Sequence, residues 1–322
     1  MSGDVLAIVC SDIHLSLTPP VGRSVEPDWL VSQGRILGRL QQLRKRYSCP
    51  VLCAGDVFDR WHCSPELINF AIANLPEMFS VPGQHDMPMH RMEDLERSAF
   101  HTLCLCGTVR NLKQDIVQKV GSDLVVFGYG WGVEEGPGCR IGEGLVDFAD
   151  PGSPGGLSVA VMHRYVWSQG CGYPGAPTEC LAGRALRDMA KHFDVIISGD
   201  NHHHFSMKIG DCTVYNCGCL IRRKLDERDL NSGVGLLRSD GTVEFKSITD
   251  SAEVWLESVS KTEPEQDMEL GSFLEELANV GWDGVDFNEA VMNYARKNVV
   301  SEKTKNVLIE LLEEKEDGTV AL

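Results

Sequence analysis

At 322 residues, with hydrophobic residues at 43% and charged residues at 24%, the chain has the composition of a globular protein with one large domain and a small one. A net charge of −17 argues against nonspecific nucleic-acid binding through bulk charge, and no apolar run is long enough to span a bilayer. The charge is uneven: residues 251–322 carry −11 and the first 250 carry −6, so metals, local basic residues or a partner must handle any phosphate.

Met1–Asp4 has no basic region, and Val5–Cys10 is too short for the apolar part of an export signal, so none is expected. Val5–Cys10 reads as a buried strand running into Asp12-Ile13-His14. Residues two apart on extended backbone share a face, so Asp12 and His14 present a donor pair suited to a divalent metal. Pro19–Pro27 is a loop. Trp29–Tyr47 has helical apolar spacing and closes on Arg44-Lys45-Arg46, a cluster that suits the negative end of a helix dipole.

Val51–Cys53 is a second buried strand. Gly55 allows a sharp turn after it and presents Asp56, followed by Asp59 and Arg60, at a strand's carboxyl edge. One carboxylate can bridge two metals, and Asp56 is the candidate. Ser64-Pro65 starts a helix over Glu66–Asn74. The third strand, Met78–Val81, delivers Gln84-His85-Asp86. Repeated strand–loop–helix units predict an α/β sheet with its chemistry on the loops at one edge.

Residues 87–123 give no clear pattern. Leu124–Phe127 is strand-like, followed by glycine-rich sequence through Gly138 and a loop over 142–156. Leu157–Met162 is a strand ending at His163-Arg164. Ser168–Pro177 suits a substrate rim and Thr178–Lys191 a helix. Asp194–Ser198 is a strand ending in Gly199-Asp200-Asn201-His202-His203-His204, with short strands near Phe205–Ile209 and Thr213–Asn216. Gly235–Arg238 and Val243–Ile248 suggest a hairpin around Asp240-Gly241. His202 and His204 share a strand face, so that pair is an alternative to Asp200 and His202; His203 is expected to point away.

Ser258–Met268 reads as a linker, and three short amphipathic segments after it suggest a helical appendage, either a tail packed on the core or a docking module. The organisation is therefore a catalytic domain over 1–250, then linker and helical region over 251–322. The twelve cysteines lack Cys-x-x-Cys spacing, and reduced buried thiols are expected.

The ordered motifs Asp12-x-His14, Gly55-Asp56-x-x-Asp59-Arg60, Gly83-Gln84-His85-Asp86, His163 and Gly199-Asp200-x-His202 resemble those of the calcineurin-like metallophosphoesterases over about the first 220 residues. The wording between motifs, Pro-Gly-Gln-His-Asp-Met-Pro above all, is similar to the SbcD-type DNA repair and recombination nucleases, phage-encoded members included. The resemblance implies an α/β fold, a β-sandwich flanked by helices, with a two-metal site. It implies Asp12, His14, Asp56 and His202 around the first metal and Asp56, Gln84, His163 and Asp200 around the second. The family usually has Asn where Gln84 stands and His where Asp200 stands. Both changes favour manganese, with magnesium or iron as other choices, over zinc.

By the same resemblance His85 is the acid that protonates the leaving oxygen, with Asp86 or Asp59 orienting it. Arg60, Arg164 and Arg222 are candidate phosphate contacts. Implied partners are DNA and an SbcC-type coiled-coil ATPase bound through the C-terminal region; this chain has no phosphate-binding Gly-x-x-x-x-Gly-Lys loop of its own. A homodimer is a further possibility, and the expected location is cytoplasmic, the host's if phage-encoded. Two other readings stand beside the DNA nuclease: a phosphomonoesterase or small cyclic-nucleotide phosphodiesterase on the same fold, and a non-catalytic binding subunit with an altered metal site.

Overall fold

Alternation along the first strand, β1 (Val5–Cys10), defines the layers. Ala7 and Val9 are buried in one apolar core, while Ile8 and Cys10 are buried in another. A strand buried on both faces belongs inside a layered α/β protein. The computed structural model describes residues 3–113, 118–132, 156–168 and 183–256.

The remaining strands are β2 (Val51–Cys53), β3 (Met78–Ser80), β4 (Val109–Asn111), β5 (Gln118–Val120), β6 (Leu124–Tyr129), β7 (Leu157–Met162), β8 (Val195–Ser198), β9 (Phe205–Ile209), β10 (Cys212–Asn216), β11 (Gly233–Arg238) and β12 (Val243–Ser247). They form two six-stranded sheets, ordered β12-β11-β1-β2-β3-β4 and β5-β6-β7-β8-β10-β9. β1 to β4 run parallel in the first sheet, and β6, β7, β8 and β10 run parallel in the second; antiparallel strands complete each. The core between the sheets joins Ala7, Val9, Leu52 and Leu237 to Val126, Val159, Val161 and Ile197.

Helices cover the outer faces. α1 (Trp29–Tyr47) starts where the Asp28 side chain accepts from the Val31 amide, and it ends at Ser48, which is left-handed at φ 51°. Its Ile36, Leu37 and Leu40 are fully or nearly fully buried against the first sheet. Each such side chain contributes about 1.5–3 kcal/mol relative to exposure. α2 (Pro65–Asn74) has Ser64 as its cap and proline in its first turn, and α3 (Ala99–Leu105) is capped by Ser98. On the second sheet, α4 (Gly183–Met189) sets Leu186 and Met189 beside Phe127, Ile196 and Val214. The expected β-sandwich flanked by helices is thus the observed architecture.

Region 87–123 holds short 3-10 turns, α3, β4 and the start of the β5–β6 hairpin. Elements of three to seven residues complete too little of a period to leave a legible pattern. The hairpin at Asp240-Gly241 forms as β11–β12, with Gly241 at φ +76°. The nine cysteines among the described residues are free thiols.

The chain divides at Glu257/Ser258 rather than at 250. Residues 253–256 stay attached to the first unit: the Leu256 amide donates to the Gly22 carbonyl (3.0 Å) and the Val254 amide to Glu26 Oε1 (2.9 Å). The glycine-rich stretch after Gly132, the loop over 142–155, the rim over 169–177, the start of the helix expected from Thr178, and region 258–322 with its expected helices lie outside the described residues. Among the described residues no helix is long and apolar enough to cross a membrane.

Candidate metal centre

Five loops meet at the carboxyl ends of β1, β2, β3, β7 and β8, and each carries one of the sequence motifs. Past their strands, the first two loops run side by side: the Asp12 amide donates to the Gly55 carbonyl (3.0 Å), His14 to Asp56 (3.0 Å) and Leu15 to Val57 (2.9 Å). This extended ladder holds backbone that would otherwise relax. Asp12, His14, Asp56 and Asp200 all have positive φ, between 48° and 72°. Such conformations cost on the order of 1–3 kcal/mol each and concentrate at functional sites.

The donor atoms converge. His14 Nε2 lies 3.7 Å from Asp12 Oδ1 and 3.6 Å from Asp56 Oδ2; His202 Nε2 lies 3.7 Å from Asp12 Oδ1; His163 Nε2 lies 3.3 Å from Asp56 Oδ2. Four groups have metal-ligand geometry among the described residues: Asp12–His14–His202, Asp12–Asp56–His163, His14–Asp59–His85 and His202–Cys219–Glu227; the two that contain Asp12 are drawn from the expected ligands alone. Gln84 and Asp200 meet each other, Gln84 Nε2 donating to Asp200 Oδ1 (2.9 Å), and both line the same cavity of about 400 Å³. Asp12 thus belongs to both of these clusters, while Asp56 belongs to the second and reaches the first through His14 Nε2.

Buried polar atoms without partners test the fit to metal. Asp12 Oδ1, His14 Nε2, Asp56 Oδ2, Gln84 Oε1 and His163 Nε2 are buried and make no hydrogen bond. Each such atom costs about 1–3 kcal/mol if nothing satisfies it. Orphaned atoms occur elsewhere too, at Asn111, Tyr215 and Ser232 among others, but these five are gathered in the expected ligand set and are of the oxygen and imidazole type that divalent cations accept. Electrostatics agrees. Burial opposes ionisation of Asp12 and Asp56, yet the surrounding histidines hold both carboxyls below the ordinary range. Burial also opposes a charged His163, yet Asp56 and Asp12 raise it. The cluster favours positive charge at its centre, and the residues fit two divalent cations.

Second contacts fix which imidazole nitrogen is free. The Ala54 carbonyl faces His163 Nδ1 at 2.5 Å, and a carbonyl only accepts, so Nδ1 carries the proton and Nε2 offers its lone pair. Glu227 Oε1 does the same for His202 at 2.5 Å, while its Oε2 accepts from the Arg223 (2.6 Å) and Lys224 (3.0 Å) amides. Burial raises the Glu227 carboxyl, but the His202 hydrogen bond and charge outweigh it and bring it down to about 2. Sequence reading missed Glu227, which lies 25 positions from His202 with no motif around it. Replacing Glu227 with alanine should weaken Mn²⁺ binding about 10–100-fold in calorimetric titration, as for other residues that orient metal-binding imidazoles.

Two glycines are required by close approach. A Cβ on Gly83 would lie 2.1 Å from Asp56 Oδ1, and one on Gly55, at φ +97°, would lie 2.4 Å from His163 Nδ1. Gly83→Ala should therefore displace the shared aspartate, lowering stability by about 1–3 kcal/mol and cutting Mn²⁺ affinity. Thermal melts with and without Mn²⁺ check this: an Mn²⁺-induced shift equal to the wild type's would rule it out.

The other expected site residues divide. His85 lines the metal cavity, edge-on to His14 at 4.9 Å between ring centroids, with Nδ1 2.8 Å from the Asp59 carbonyl. Asp59 thus orients His85 through its backbone; its carboxylate pairs instead with Arg223 at 2.7 Å. Asp86 does not orient His85. Its carboxylate accepts from the Val57, Phe58 and Gly83 amides at 3.0–3.2 Å and braces the two turns. Burial and the charge of Asp56 push its carboxyl up to about 7, against those three amides.

Arg222 is not at the cavity. It is buried, donates to the Arg228 and Leu230 carbonyls and pairs with Glu253 at 2.5 Å. Its neighbour Arg223 lines the cavity in its place, because adjacent residues of an extended segment face opposite ways. Arg60 lines a neighbouring cavity, and Arg164 is exposed and lines neither. His204 stacks on Phe245 at 3.9 Å, which removes the His202/His204 alternative. His203, expected to point away, lines the cavity.

Residues 6–204 match the model of the calcineurin-like phosphoesterase family, and the chain belongs to that family. Its members use a dinuclear metal site. No curated protein matches the chain. Among solved structures it is similar to TT1561 of Thermus thermophilus (12% identity, 76% of this chain and 98% of that one, TM-score 0.46). It is also similar to the Thermus thermophilus sulfate thiohydrolase SoxB (14%, 87% and 61%, 0.47) and to the calcineurin-like phosphoesterase YfkN from Bacillus subtilis (13%, 77% and 89%, 0.40).

Proposed function

We propose that the chain is a metal-dependent phosphodiesterase that cuts DNA, the nuclease subunit of an SbcD-like repair or recombination complex. The observation that carries this reading is His85. It is absent from the two sets that contain Asp12, and in its own group with His14 and Asp59 its Nδ1 proton is held by the Asp59 carbonyl. Nε2 is then the nitrogen that can give a proton to a leaving oxygen.

Asp12, His14, His202, Asp56, His163, Gln84 and Asp200 would hold the cations. Bound there, divalent ions would polarise the phosphoryl oxygens and activate water. In the reaction, the water oxygen forms the new bond to phosphorus, the ester P–O bond breaks and the leaving oxygen takes its proton from His85, while the attacking water releases a proton to solvent, from which His85 is reprotonated. The orphaned buried donors oppose the reading of a degraded, non-catalytic site, since each would cost stability if unused. Manganese is the preferred ion, on the oxygen-rich donor set. The proposed partner is an SbcC-type coiled-coil ATPase docking through residues 258–322, which copurification with and without that segment tests.

The activity test offers single- and double-stranded DNA, bis(p-nitrophenyl) phosphate and p-nitrophenyl phosphate to the Mn²⁺-loaded protein. Cleavage of DNA and the diester is expected. Hydrolysis of the monoester without any DNA cut would favour a phosphomonoesterase instead.

A further inference from the structure

A second cavity of about 440 Å³ lies beside the metal cavity, within the roughly 300–1,000 Å³ typical of small-ligand sites. The two share Asp59 and Arg223. The Arg223–Asp59 ion pair therefore stands between them.

Charge, surface and position together define an occupant. Arg60 and Arg223 line the cavity against one carboxylate, Asp59, which Arg223 already engages. Arg60 has no ion-pair partner among the described residues, and Arg223 Nε is buried without a hydrogen-bond partner. In a chain of net charge −17 this is a local cationic spot, suited to phosphate by the fork geometry of arginine. The lining also holds the apolar Leu17, Pro19, Pro20 and Leu67. A cavity that combines apolar side chains with a few polar groups suits a largely apolar body such as a nucleobase.

Position links the two sites: the Asp59 carbonyl anchors His85 Nδ1, and Asp59 is common to both cavities, so the second cavity adjoins the metal cavity across the Asp59–Arg223 wall. We infer that the second cavity binds a nucleotide next to the scissile phosphate of a nucleic-acid strand, its base against the proline–leucine edge and a phosphate on Arg60 and Arg223. The inference rests on the phosphodiesterase reading above and adds to it a subsite for a neighbouring nucleotide.

Two variants test it: Thr18→Trp, at an exposed position that lines and would fill the cavity, and Arg60→Ala, which removes its unpaired cation. The readout is the ratio of kcat/KM for decathymidylate to that for bis(p-nitrophenyl) phosphate, expected to fall about tenfold or more in each variant. A ratio equal to the wild type's in both overturns the inference. Fluorescence anisotropy with a phosphorothioate-linked decathymidylate on the Mn²⁺-loaded full chain reads the subsite without turnover. Weakening of about tenfold in both variants supports the inference, and unchanged affinity overturns it. If the wild type hydrolyses neither substrate, the phosphodiesterase reading falls, and the anisotropy result still decides whether the cavity binds the strand.

Discussion

Replacing His85 with alanine should lower kcat for DNA by about 10²–10⁴-fold, the usual contribution of a positioned general acid, while bound manganese stays at the wild-type level. The two effects separate because His85 is in neither donor set that contains Asp12, and within its own group with His14 and Asp59 its Nδ1 is taken by the Asp59 carbonyl. Its imidazole is aligned by the Asp59 carbonyl, and its backbone amide donates to Asp56 Oδ1 at 3.0 Å. Alanine keeps that amide, so the shared aspartate retains its hydrogen bond. A leaving group that departs without protonation should suffer less, so p-nitrophenyl esters should lose fewer orders of magnitude than DNA. Metal analysis beside both rate measurements decides the matter. Equal loss of metal would make His85 a ligand, and equal loss of rate on both substrates would remove its role as acid.

The largest effect on stability is expected at Arg23, far from the chemistry. Its guanidinium is 1% exposed, lies between the rings of Trp29 and Trp255, and pairs with Glu26. It also donates to the Arg222 carbonyl (2.7 Å), the Val254 carbonyl (3.2 Å) and Ser32 Oγ (2.9 Å). Removing one partner of a buried ion pair costs about 3–5 kcal/mol, because the other charge stays buried alone. Here the remaining carboxylates keep some company: Glu253 retains Arg222 at 2.5 Å, and Glu26 retains Arg35 at 3.8 Å. Arg23→Met should therefore fall at the low end, about 3 kcal/mol, which lowers Tm by about 6–12 °C in a unit of this size. Adding Glu26→Gln should recover part of the loss, since the uncompensated charge is then gone. A single variant that melts within a degree or two of wild type would show that tryptophan packing, not the ion pair, holds segment 253–256 in place.

Much of the site was legible because its residues obey local rules. Each candidate ligand follows a short apolar strand, and strand ends at the carboxyl edge of parallel sheets are where such folds gather side chains. Asp12-x-His14 and Gly55-Asp56 could be located from the apolar strand before each and one glycine, but the left-handed backbone at Asp12, His14 and Asp56, in place of the extended one expected for Asp12 and His14, was not legible. Roles that depend on which way a side chain points were not legible. Asp86 looked like an orienting acid by adjacency, yet its carboxylate holds the amides of two turns. Arg222 and Arg223 are neighbours in sequence and opposites in space: one is buried against Glu253, and the other faces Asp59. Glu227 acts on His202 across 25 positions, a distance that periodicity cannot bridge.

By itself the sequence determined the strand-and-helix order of the two sheets' long elements, the motif set that gathers at one edge, and the metal-type chemistry of those side chains. These follow from burial period, turn residues and donor type, which are properties of short stretches. The tertiary structure alone decided that Asp12 joins both donor clusters, that a carbonyl and Glu227 select the free nitrogens of His163 and His202, and that Arg223 stands between two cavities. Those facts depend on distances between loops that only the packing of one sheet on the other brings together.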